Sequence, residues 1–261
     1  MNDADPRLGS ILLLGEDFGE YGTISSTRVG SNAAAAISVG TATDSPSQQW
    51  KFDSNVMNED SLCVIEAGTW SAYAVADAHY GPEASHMLVS RLDQIWSKIR
   101  PNNLEHLAQM LEFLRQGDPA RTESETTLLA VVYDRVERTG FGISFGDSSF
   151  VLAGPGRDAT PVNGRDHRYV TARNASSLRR GNAFRFETNP GDMMLAFTDG
   201  IDECHYRSAA TSVQPHHIAS IASQAEGDPL QVVKELSTLA LKGVDGNPGG
   251  EDNIALICAQ A

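Results

Sequence analysis

The sequence predicts an α+β fold built of stacked sheets and helices. Short apolar runs bounded by turn residues dominate the chain, and stretches with helical spacing cluster in two pairs. Hydrophobic residues make up 41% of 261 residues, enough for a sizeable core. No internal repeat, low-complexity tract or linker divides the chain, and one large domain accounts for its length.

The elements follow in order. SILLLG reads as a short strand, and GEDFGEYGTISSTRVGSN as turns and loop. Residues 31–43 (SNAAAAISVGTAT) read as a first core strand, and residues 44–54 as a polar, turn-rich connection. Residues 61–66 and 70–76 form a hairpin around Ala67-Gly68-Thr69. Pro82 starts a helix over 83–99 whose Ala84, Met87, Leu88, Leu92, Ile95 and Trp96 make one apolar stripe. A second helix covers 104–115, after Pro101-Asn102-Asn103. Strands are expected at 126–133, 140–145, 149–152, 184–187 and 193–198. The stretch 154–180, rich in Gly, Pro, Asp, Asn and Arg, is read as the longest irregular segment. Helices at 216–224 and 230–242 precede a Gly-rich turn and a last strand at 253–258.

Charge and cysteine usage narrow the function. Asp plus Glu number 34 against 20 Lys plus Arg, a net charge of −14. Broad nucleic-acid binding needs a basic surface and is not expected. Cys63, Cys204 and Cys258 lie far apart with no CxxC pair, so Cys63 and Cys258 read as small core residues. No apolar run approaches the ~20 residues of a membrane span, and no leader pattern is read at the start. A protein of the cytoplasm, with no membrane partner, is expected.

Acidic residues recur just beyond the apolar runs: Glu59-Asp60 in MNEDSLCVI, Asp77 in WSAYAVADAHYG, Asp147 in GFGISFGDSS, Asp199 in MMLAFTDGIDE and Asp252 in GGEDNIALIC. A carboxylate at a strand end is costly to bury alone. Several brought together repel one another unless they share cations, and hard oxygen ligands suit Mg²⁺ or Mn²⁺. The spacing is too wide for a local loop motif, so the fold must assemble such a site.

The succession NED, VADAHYG, ETTLLAVV, GDSS, LAFTDGIDE and EDNIALI resembles the metal-dependent serine/threonine phosphatases of the PP2C (PPM) family. The resemblance runs from about Ser31 to Cys258, leaving residues 1–30 as a variable segment before one phosphatase-like domain at 31–261. It implies a four-layer αββα sandwich, two antiparallel sheets flanked by helix pairs, with two Mg²⁺ or Mn²⁺ ions at one end. It implies that Asp77 bridges the ions, that the Ala78 carbonyl ligates one and that Asp199 and Asp252 complete the other. Asp60 or Glu59 would hold an ion directly or through water, and Asp147 and Glu203 would recruit a weaker third. His79 matches the general acid for the departing alcohol. The implied reaction is hydrolysis of phosphoserine or phosphothreonine in proteins by a metal-activated water, with no phosphoenzyme. Phosphorylated proteins, and a kinase that makes them, are the implied partners.

The chain departs from the family pattern at three places. Asp77-Ala78-His79-Tyr80-Gly81 stands where DGHGG is usual, so Tyr80 enters beside the site. Asn55 stands where many relatives carry a phosphate-holding arginine, and Lys51 lacks the bidentate guanidinium geometry. Arg157, Arg165 or Arg168 could serve instead by folding over the site. Gly146-Asp147-Ser148-Ser149 replaces GDSR. These departures keep open the alternative of a catalytically weakened, phosphatase-like binding or regulatory module. His216-His217 near a helix start read as capping or surface groups, Asp202 as the more solvated neighbour of Glu203, and Cys204-His205 have no zinc-ligand spacing.

Overall fold

Strands with no exposed face account for the architecture. In β4 (Ser61–Ala67), Leu62 and Val64 point to one face while Cys63 and Ile65 point to the other, and all are buried. A strand sandwiched on both faces favours apolar residues on both, which is why Leu62–Ile65 reads as a continuous run. The computed structural model describes residues 7–41, 46–53, 57–114, 124–171, 181–205 and 208–261.

The remaining strands are β1 (Arg7–Leu14), β2 (Ser25–Val29), β3 (Ala33–Ser38), β5 (Trp70–Ala76), β6 (Ala78–His79), β7 (Glu125–Thr126), β8 (Leu128–Asp134) and β9 (Thr139–Phe145). They continue with β10 (Ser149–Gly154), β11 (Arg157–Pro161), β12 (Val170–Thr171), β13 (Asn182–Glu187), β14 (Met193–Phe197) and β15 (Ile254–Gln260). The helices are α1 (Pro46–Asp53), α2 (Glu83–Trp96), α3 (Leu104–Leu114), α4 (Pro215–Gln224) and α5 (Pro229–Lys242).

Two six-stranded antiparallel sheets, β1-β4-β5-β8-β9-β13 and β11-β10-β14-β15-β3-β2, lie face to face. Between them Ile37, Val64, Tyr73, Val131, Phe150, Met194 and Ile257 interdigitate. The outer face of the first sheet packs on α2 and α3 through Ile65, Leu88, Leu92, Trp96 and Leu111. That of the second packs on α4 and α5 through Leu195, Leu256, Ile218, Val232 and Leu236. The result is the four-layer αββα arrangement that the resemblance implies. A three-stranded ribbon, β12-β7-β6, is attached beyond the C-terminal end of β5.

Four local expectations are corrected. SSTRV forms β2, an edge strand whose half-exposed polar residues conceal it, and it pairs with β3. Residues 46–53, read as turn-rich, form α1, opened by Pro46 at a position that needs no N–H. The stretch 154–180 contains β11 and β12, although its residues 172–180 lie outside the described ones. The helix expected to reach residue 99 ends at Trp96. Among the described residues no helix is long and apolar enough to cross a membrane.

Candidate metal centre

The antiparallel order brings the ends of β5, β9 and β14 and the starts of β4 and β15 to one end of the sandwich. Asp77 follows β5, Asp147 follows β9, Asp199 follows β14, Asp60 precedes β4 and Asp252 precedes β15. Residues up to 192 positions apart therefore converge because their strands are neighbours, with no local motif involved (252 − 60).

The backbone of Asp77 is clamped. Its N–H donates to Thr127 Oγ1 at 3.0 Å, and its carbonyl accepts from Thr127 N–H at 2.8 Å and Thr126 Oγ1 at 2.9 Å. Thr127 Oγ1 also meets Ser148 Oγ at 2.8 Å, which ties this turn to the one carrying Asp147. Gly146 opens that second turn at φ +82°, and a Cβ there would stand 2.6 Å from Thr127 Cγ2. Glycine is needed for both reasons.

Carboxylate oxygens of Asp77, Asp147 and Asp199 lie within 4.8 Å of one another. Asp60 is fully buried; Thr198 Oγ1 donates to its Oδ2 at 2.7 Å while accepting from Ala255 N–H at 2.9 Å. Burial first, then the neighbouring carboxylates, push the Asp60, Asp77 and Asp199 carboxyls above the usual carboxylate range. One oxygen each of Asp60, Asp147 and Asp199 is buried with no hydrogen-bond partner. Buried carboxylate oxygens normally find a donor. Orphaned oxygens converging from three strands fit a hard divalent cation, whose charge would relieve the same repulsion.

Asp252 stands differently. Its Oδ1 accepts from Asn253 N–H at 2.8 Å and from Lys51 Nζ at 3.0 Å. The Lys51 ammonium, supplied by α1, also donates to Asn253 Oδ1 at 2.8 Å and lies 3.3 Å from Glu59 Oε2. Glu59 Oε1 accepts from Gly81 N–H at 2.6 Å, so this carboxylate braces the loop after His79. Asn253 is a hub that the sequence does not single out. Its Oδ1 also accepts from Glu59 N–H, and its Nδ2 donates to the carbonyls of Val39 and Met57.

The other candidates fall around this core. Ala78 and His79 form β6, paired with Thr126 and Glu125, and Ala78 has no left-handed backbone to strain its Cβ. The His79 ring stands edge-on to Tyr169, with centroids 5.0 Å apart, and its Nδ1 is buried without a partner. Tyr169 is itself close to the acids: burial and then Asp147 and Asp77 push its phenol up to about 12. Tyr80 adopts φ +63° and is 66% exposed, so its ring projects from the rim.

Of the three arginines, Arg165 is the one beside the centre. It grips both Asp202 oxygens at 2.6 Å, reaches Glu203 at 3.5 Å and donates to Ser149 Oγ. Asp202, expected to be solvated, is the more buried of the pair because Arg165 holds it, and burial pushes its carboxyl up to about 6. Arg157 pairs with Asp192 and Arg168 with Asp166. Asn55 lies outside the described residues. All three cysteines are buried and free, and His217 Nδ1 accepts from Gln214 N–H at the start of α4.

The likenesses of this chain agree with the fold. Residues 81–261 match the family model described as Stage II sporulation protein E (SpoIIE). No curated protein matches the chain. Among solved structures, the Mycobacterium tuberculosis serine/threonine phosphatase PstP/Ppp is similar over 91% of this chain and 98% of its own, with TM-score 0.64 and 18% identity. The catalytic domain of serine threonine protein phosphatase PstP in complex with two manganese ions has TM-score 0.65 at 18% identity, over 91% and 99% of the two chains. RsbX in complex with magnesium has TM-score 0.59 at 13% identity, over 91% and 99%. At these identities the structures speak for the fold, and the family match covers more than half of the sequence. The chain belongs to the SpoIIE family of PP2C-like phosphatases.

Proposed function

We propose that this protein is a metal-dependent phosphatase that removes phosphate from phosphoserine or phosphothreonine in proteins. The observation that carries the reading is the convergence of Asp77, Asp147 and Asp199, with orphaned oxygens on Asp147 and Asp199. Family membership supports the reaction class, and a manganese-bound relative of the same fold supports the type of ion.

In this reading Asp77, Asp147, Asp199 and Asp252 hold the cations, Asp60 contributes directly or through water, and the Ala78 carbonyl offers a further oxygen. Two Mg²⁺ or Mn²⁺ ions, with a weaker third, would supply an acidified water and offset charge on the phosphoryl oxygens. His79, two residues after Asp77, would give a proton to the leaving serine or threonine oxygen. Tyr169 fixes the plane of that ring by edge-to-face contact. The substrate partner is a phosphorylated protein, with a kinase upstream that makes it.

Turnover of a phosphothreonine peptide tests the reading. Hydrolysis that needs Mn²⁺ or Mg²⁺ and stops with a chelator is the expected result. Absence of Mn²⁺ uptake by folded protein would overturn it. The Lys51 contact with Asp252 favours one competing reading, a weakened binding module, for which full metal uptake without turnover on any phosphopeptide would be the signature.

A further inference from the structure

Lys51 is unusual among the cations of this chain. Its side chain is 10% exposed, and its ammonium is surrounded by Asp252 Oδ1 at 3.0 Å, Asn253 Oδ1 at 2.8 Å and Glu59 Oε2 at 3.3 Å. Asp60 and Asp77 act on it from behind these. Arg135 is nearly as buried but pairs with Glu66 alone among the carboxylates, whereas Arg28, Arg157, Arg165 and Arg168 pair where they are a third or more exposed, or close to it. A ring of hard oxygens around a single positive charge is the coordination pattern of a cation site, here filled by the protein's own side chain.

The arrangement bears on the metal reading given above, on which this inference rests. An ammonium and a divalent ion cannot share Asp252 Oδ1 without strong repulsion, and that oxygen already accepts a second hydrogen bond from Asn253 N–H. The orphaned oxygens belong to other acids, Asp60, Asp147 and Asp199, none of which accepts a hydrogen bond from Lys51. The acids with an orphaned oxygen are therefore free of the ammonium, whereas Asp252 is engaged by it.

We propose that Lys51 is a tethered competitor for one of the two cation positions. The first divalent ion enters at Asp77, Asp147 and Asp199, while the second gains Asp252 only by expelling the Lys51 ammonium. Among the described side chains of the short α1 helix that carries Lys51, none belongs to the three apolar clusters, and Phe52 is 60% exposed. Occupancy of the second position thereby becomes dependent on where this one side chain lies.

Calorimetric titration with Mn²⁺, with bound ions counted by electron paramagnetic resonance, tests the proposal. Wild-type protein should take up one ion tightly and a second at least tenfold more weakly. Lys51→Gln keeps an amide donor for Asn253 but removes the charge, and should tighten the second step at least tenfold while leaving the first unchanged. Lys51→Arg keeps the charge and should leave the second step weak. A Lys51→Gln protein that titrates like wild type would overturn the competitor role while leaving the metal centre standing. No uptake by either protein would overturn both. Wild-type protein gives an independent readout that needs no variant. Lys51 should resist amine acetylation in metal-free buffer and become labelled as Mn²⁺ saturates, as read by peptide mass spectrometry. Protection that persists at saturation would also overturn the proposal.

Discussion

Gly200 presses directly against the carbonyl of Asn253: a Cβ at position 200 would overlap that oxygen far inside van der Waals contact. Gly200 belongs to the turn that carries Asp199, and Asn253 to the one that carries Asp252. The two turns are therefore locked together by backbone alone, and the overlap cannot be relieved by rotating a side chain. Gly200→Ala should cost about 1–3 kcal/mol of stability, the usual penalty for overpacking. It should also weaken Mn²⁺ uptake, because Asp199 must shift. Urea unfolding and calorimetry check both, and an unchanged midpoint would show that the turns move independently.

Asp199→Asn should have opposite effects on stability and on metal uptake. The Asp199 carboxyl is raised by burial and then by Asp77, Asp252 and Asp147, so its ionisation opposes folding in metal-free buffer. A carboxyl raised in the folded state contributes stability that is lost as pH rises through its folded pKa. Replacing it by an amide removes that loss. At pH 8 without metal, Asp199→Asn should unfold at a higher urea concentration than wild type. Added Mn²⁺ should then stabilise wild type and not the variant. A lower midpoint for the metal-free variant would refute the electrostatic argument.

His79→Ala separates proton donation from a structural role. p-Nitrophenol leaves readily without a proton, whereas a serine or threonine alkoxide does not. Loss of a general acid should slow a phosphothreonine peptide by roughly 10²–10⁴-fold and p-nitrophenyl phosphate far less. Equal loss on both substrates would assign His79 to holding Tyr169 and the β6 ribbon instead.

How much of this was legible in the sequence depended on where each residue's partner lies. SLCVIEA and LLAVVYD read as strands because burial on both faces favours apolar residues on both. SSTRV and PSQQWKFD did not, because an edge strand and a polar surface helix carry little periodic signal. The acids at the centre were visible because each follows or precedes such a run. Thr127, Thr198, Asn253 and Tyr169 were not, since their polar side chains look like loop residues until a partner arrives from elsewhere in the chain. Asp252 and Asp147 illustrate the limit. The resemblance implies Asp252 as the companion of Asp199; in the structure Asp147 also comes close to Asp77 and Asp199, and Asp252, which acts on Asp199 too, accepts from Lys51. Lys51 sits on α1, the helix that its polar sequence concealed.

Glu66, far from the centre, should give the protein a second and separable pH dependence. It is fully buried in β4, ion-paired with Arg135, and its Oε1 accepts from the Tyr73 hydroxyl at 3.3 Å. Burial outweighs the attraction of Arg135 and moves the carboxyl from its ordinary 4.5 to about 7. The sign follows from the raised value: its contribution to stability is complete below about pH 4.5 and is lost as pH rises through about 7. The full span is on the order of 3 kcal/mol. Comparing wild type with Glu66→Gln by urea unfolding at pH 5 and pH 8 isolates it, since other buried acids titrate in both proteins. The glutamine leaves Arg135 without its ion pair, but that cost is the same at both pH values and cancels from the difference. Relative to the variant, wild type should therefore lose stability between pH 5 and pH 8. Parallel behaviour of the two proteins would mean that Arg135 fully offsets the burial of Glu66.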